Sequence, residues 1–251
     1  MTPVWPLHFN RCSLFSQEID FIVPDSRFET AVRVLIDTGF VYCDNANCSE
    51  LKHDRHPHRM LPHVAYPATE LAAMLARNTW HEIADAHFHS ETKYPGFTVF
   101  SLFKQSRLLW WLPTLTLSPV ESNDPTFMLT NDAARLPPWI AGDPNSSSGP
   151  WLDVSPVKTL THSALVEALL RLESRYLRVP GYRFDMWNEM FLCALPRAAD
   201  TERLQRLRES LKPEFQASVD LVTAGCAVNG DSDAKTVANK LHDYLVAKGE
   251  L

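Results

Sequence analysis

The stretch Ser16-Gln17-Glu18-Ile19-Asp20-Phe21-Ile22-Val23-Pro24-Asp25 decides how the rest of the chain is read. Glu18, Asp20 and Ile22 alternate with Ile19, Phe21 and Val23, the period-2 pattern of a strand. On such a strand the carboxylates of Glu18 and Asp20 point to one face and can share a divalent cation. Mg²⁺ favours one or two carboxylates plus substrate phosphates, so an acid-x-acid strand suits nucleotide chemistry. Next, Ser26 and Glu29 have capping-box spacing and predict a helix with Phe28, Ala31, Val32, Leu35 and Ile36 on one face. Gly39 ends that helix, and Phe40-Val41-Tyr42-Cys43 reads as the next strand.

This strand–helix–strand unit resembles the nucleotidyltransferase-like fold, especially a group of fungal proteins with an "IDFVVP"-type strand. Ser101-Leu102-Phe103-Lys104-Gln105-Ser106-Arg107-Leu108-Leu109-Trp110 and Pro156-Val157-Lys158-Thr159-Leu160-Thr161 are similar to segments of the same group. The resemblance covers most of residues 16 to 180. It implies an α/β (α+β) chain with a mixed sheet. If the chain is active, it implies Mg²⁺ on Glu18 and Asp20, positioning a nucleoside triphosphate for attack by an acceptor hydroxyl or amine. Lys104 or Arg107 would then neutralise phosphate charge.

Three parts of that machinery are missing. A Gly-Gly or Gly-Ser turn should precede the acids, yet Pro6 to Ser13 contains no glycine to let the backbone approach a triphosphate. The first acid is Glu18 where Asp is usual. A third acid should come from a neighbouring strand, and the run Phe97 to Phe103 carries none, while Asp85 and Glu91 sit in no motif. A start at Met1 also leaves little room for the helix and turn that normally precede the acid strand.

A second constellation is Cys43-x4-Cys48 with His87-x-His89. Two thiolates and two imidazoles match tetrahedral Zn²⁺, and a structural zinc would pin the polar insert 44–67 to the sheet. His56, His58 and His63 compete as ligands; the bland alternative is thiols and surface histidines. Lys104 and Arg107 before Leu108-Leu109-Trp110-Trp111 can likewise be a phosphate-and-base site, or a packed segment with snorkelling cations.

Composition narrows the classes. At 45% apolar the chain can bury a core, and a net charge of −6 argues against broad nucleic-acid binding. No apolar run approaches the length of a membrane span, and the N-terminus lacks a signal-peptide design, so a cytoplasmic location is expected. Five dispersed cysteines read as thiols rather than a disulfide framework. The expected hairpin pairs the His87–His89 run with the strand after Pro95-Gly96, and a short helix is expected at 70–77. A strand at 156–160 leads to a helix capped by Thr161. Residues 1–180 form the expected nucleotidyltransferase-like domain, and 181–251 a helical region packed on it.

Three functions follow as expectations. The first is a nucleotidyltransferase-like protein with an incomplete catalytic motif. The second is a non-catalytic binding or scaffold protein that keeps the fold, with structural zinc. The third is a secondary-metabolism enzyme that reuses the pocket.

Overall fold

The computed structural model describes residues 2–4, 18–44, 84–89, 99–116, 118–136, 152, 155–178, 185–196, 200–223 and 231–251. They form a mixed α+β protein with a C-terminal helical region. The expected 70–77 helix, Cys48, Glu91 and the histidines of the 44–67 insert lie outside them.

The described strands of the first unit are β1 (Thr2–Val4), β2 (Glu18–Val23), β3 (Val41–Cys43), β4 (Ala86–His89) and β5 (Val99–Lys104). They make one sheet in the order β1-β2-β5-β4-β3. Only the β2–β5 pair is parallel; the other three pairs are antiparallel. The expected antiparallel pairing of the His87–His89 strand with the next strand is present as β4–β5.

Alternation gives the sheet two different faces. Phe21, Val23, Phe88, Phe100 and Leu102 face helix α1 (Phe28–Asp37), whose Phe28, Ala31 and Leu35 complete the core between them. Phe40 closes the end of this layer edge-on to Phe100 at 4.6 Å. Ile36, expected on the apolar face, is instead 46% exposed. The helix ends at Gly39, whose φ of 87° lies in the left-handed region that glycine adopts without Cβ strain.

The capping box does not form. After Pro24 the chain makes a 3-10 turn over Asp25–Arg27, closed by Arg27 N donating to Pro24 O at 2.8 Å. This delays the α-helix to Phe28, leaving Ser26 outside its cap position, and no side chain caps it. Asp25 is used elsewhere: its Oδ1 accepts from Ser106 N at 3.0 Å at the start of the short helix α2 (Gln105–Leu108). Hydrogen bonds from the Ser106 side chain and backbone hold the Asp25 carboxyl below its ordinary pKa. The buried Gln105 fastens the following loop, donating to Leu112 O and Pro113 O and accepting from Leu115 N.

Contacts divide the chain between Thr116 and Leu117, whereas the sequence suggests a boundary at 180. The second unit therefore begins with an antiparallel pair, β6 (Phe127–Leu129) and β7 (Lys158–Leu160). Helix α3 (His162–Tyr176) follows, capped as expected by Thr161, whose Oγ1 accepts from Ala164 N at 3.3 Å. Helices α4 (Asp185–Ala194), α5 (Thr201–Ser210), α6 (Pro213–Thr223) and α7 (Asp231–Ala247) complete it.

Helix α3 is buried over much of its length: Leu165, Val166, Leu169, Leu170 and Leu172 form a wide apolar stripe, and Ala168 is buried beside them. Arg171 is buried with them and is compensated: it pairs with Glu250 and lies over the Phe215 ring at 4.7 Å. Two histidines tie this helix to its neighbours. His162 Nε2 donates to Ala194 O at 2.6 Å, and His242 Nδ1 donates to Ser174 O at 2.7 Å.

Candidate metal centre

The sheet face opposite α1 carries the polar residues. Register places Asp20 beside Ser101, Ser101 beside His87, and His87 beside Cys43. One polar row thus crosses four neighbouring strands. His89, two residues after His87, falls on the same face by alternation.

At the β3–β4 end of the row, Cys43, His87 and His89 converge. One donor atom from each lies within 4.8 Å of the other two. His87 is buried, whereas Cys43 and His89 are half-buried, and the two imidazole rings meet edge-on at 5.6 Å. Around a tetrahedral zinc, with Zn–S near 2.3 Å and Zn–N near 2.0–2.1 Å, donor atoms stand roughly 3–4 Å apart. The upper bound of 4.8 Å on the three donor separations lies about an ångström above that range. One soft sulfur and two imidazoles suit a borderline cation of the zinc type better than Mg²⁺ or Ca²⁺.

The acid pair occupies different ground. β2 is an interior strand, paired with β1 and β5. Asp20 is half-buried with its Oδ1 fully covered. Glu18 stands two residues earlier, in register with Val99. Around Asp20 the described residues of this face are covered: Ile22, Ser101 and Phe103 are each at most 2% exposed. The strand beside β2 offers Ser101 and Val99 at the positions facing the two acids, so β5 supplies no third carboxylate.

Lys104 and Arg107 have different surroundings. Lys104 pairs in register with Val23 and therefore lies on the α1 side of the sheet, with its ammonium 5.0 Å from the Phe28 ring centre. Arg107 Nη1 sits 3.3 Å from Asp85 Oδ2, and the same carboxylate oxygen accepts from Lys104 N at 2.9 Å. Asp85 is thus occupied in fastening the β5–α2 junction. Trp110 and Trp111 are half-buried and packed edge-to-face at 4.6 Å, while Leu108 and Leu109 fill the interior.

Ser101 was not singled out by its sequence. Its signal is only parity along β5, which becomes informative once β2 and β4 are known to flank that strand. No protein-family model, curated protein or solved structure matches the chain. Among the described residues, no helix is long and apolar enough to cross a membrane.

Proposed function

We propose that the chain is a metal-binding scaffold protein whose sheet is fastened by one Zn²⁺. Cys43, His87 and His89 are three of its ligands, and Cys48, which lies outside the described residues, is the fourth that the sequence spacing offers. The observation that carries this reading is the meeting of one thiol and two imidazoles within 4.8 Å on adjacent strands. Such a cation joins strand β3 to β4. Because the ligands bind it deprotonated and in folded geometry, binding free energy becomes folding free energy. The test is metal analysis of protein purified without a His tag. Near one zinc per chain, lost in Cys43→Ser and in His87→Ala, supports the proposal; metal-free protein that takes up no zinc on addition refutes it.

Nucleotidyl transfer is the second reading. It is favoured by the alternation of Glu18 and Asp20 on an interior strand running parallel to β5. In that reading the two acids hold Mg²⁺ and a nucleoside triphosphate. The burial of Ile22, Ser101 and Phe103 beside Asp20 and the placement of Lys104 on the other side of the sheet weigh against it. A secondary-metabolism enzyme reusing the pocket has no specific observation in its favour.

A further inference from the structure

We infer that Ser101 and Asp20 position the metal ligand His87 through a carboxylate–hydroxyl–imidazole chain across the sheet. This rests on the zinc reading of Cys43, His87 and His89.

The three residues are in direct register on adjacent strands: Asp20 with Ser101 across the parallel β2–β5 pair, and Ser101 with His87 across the antiparallel β5–β4 pair. Neighbouring strands lie about 4.7–4.9 Å apart, so their side chains stand shoulder to shoulder on one face. Oδ1 of Asp20, Oγ of Ser101 and Nε2 of His87 are all completely buried. Ser101 is 0% exposed, and as the structure stands its hydroxyl bonds neither Asp20 Oδ1 nor His87 Nε2, so the chain is one that forms when the metal orients His87.

A buried, unsatisfied hydroxyl is costly, and a hydroxyl is both donor and acceptor. Set between a carboxylate and an imidazole, it can donate to Asp20 Oδ1 and accept from the ring N–H of His87. That N–H is the one left over when the other ring nitrogen holds the metal. Metal-bound histidines nearly always give their second nitrogen to such a partner, which fixes tautomer and ring orientation. A chain ending on a carboxylate also makes the imidazole a better donor to the metal. Valine or alanine would fill the Ser101 position in a purely structural strand with less cost.

The test is a double-mutant cycle on zinc affinity, using Ser101→Ala, Asp20→Asn and the pair in the full chain. Zinc dissociation constants are read by competition with a chromogenic chelator, beside the melting temperature of each metal-free protein. Each single change is expected to weaken zinc binding about 10–100-fold, the usual effect of removing such a partner. The double variant should be no weaker than the weaker single, because Asp20 acts through Ser101. Metal-free Ser101→Ala should melt no lower than wild type, so that its weaker zinc binding is not a loss of fold, and Ser101→Thr, which keeps the hydroxyl, should bind zinc more tightly than Ser101→Ala. Wild-type affinity in the single variants, or losses that multiply in the double, overturns the chain while leaving the zinc site standing. A wild-type protein that binds no zinc overturns both.

Discussion

Cys43 sits directly opposite His87 in the antiparallel ladder of β3 and β4, so thiol and imidazole share one face of the sheet. Zinc bound there stabilises the folded state by mass action, about 2.7 kcal/mol at a hundredfold excess over its dissociation constant. Chelator-treated protein should therefore melt lower than zinc-supplemented protein. Cys43→Ser and His89→Ala should each remove most of that difference. An unchanged zinc response in both variants would place the metal elsewhere.

Nucleotide binding gives a sharper contrast between the two functional readings. With Asp20's face covered and Lys104 on the other side of the sheet, Mg²⁺ and a nucleoside triphosphate together should leave the melting temperature unmoved. A joint shift that disappears in Asp20→Asn would favour nucleotidyl transfer over the scaffold.

Glu173, buried on α3, makes stability depend on pH. Burial raises its carboxyl from an ordinary 4.5 to about 7. Between those values the folded protein holds a proton that the unfolded chain has released. Stability from this group is therefore fully present below about 4.5 and falls as pH rises through 7. The difference corresponds to about 3 kcal/mol at most. Glu173→Gln should flatten this part of the curve and stabilise the protein at pH 8, measured by urea unfolding across the range. A curve as steep as that of wild type would show that Glu173 ionises normally.

Asp85 receives a backbone N–H and a guanidinium at the β5–α2 junction. Asp85→Ala leaves both without this acceptor and should cost about 1.5–3 kcal/mol, the range for hydrogen bonds to a charged group. Arg107→Ala should cost less, because Arg107 is one-third exposed and its pairing is screened by solvent. Equal losses from the two substitutions would show that the ion pair, rather than the backbone contact, dominates.

Local signals carried much of this fold. The alternation in Glu18–Val23, the end of the helix at Gly39, the Thr161 cap and the helical character of the C-terminal region each follow from a few neighbouring residues. What could not be read is what depends on partners distant in the chain. The parallel neighbour of β2 is β5, and only that pairing puts Ser101 between Asp20 and His87.

Of the Cys43, His87 and His89 cluster, strand parity joins His87 to His89 in the sequence, whereas Cys43 arrives through the β3–β4 register, a pairing between strands distant in the chain. Parity also separates Lys104 from Ser101, yet the side facing α1 is decided by packing. The capping-box spacing of Ser26 and Glu29 misled because a 3-10 turn is equally able to satisfy the backbone after Pro24.

X-ray absorption at the zinc edge, on purified protein carrying one equivalent of zinc, interrogates the ligand set without any assay of activity. The expected spectrum contains a sulfur shell near 2.3 Å and imidazole nitrogen near 2.0–2.1 Å, with the sulfur contribution reduced in Cys43→Ser and the imidazole contribution reduced in His87→Ala. A first shell of oxygen and nitrogen alone, or a spectrum untouched by those substitutions, would contradict a zinc centre on β3 and β4.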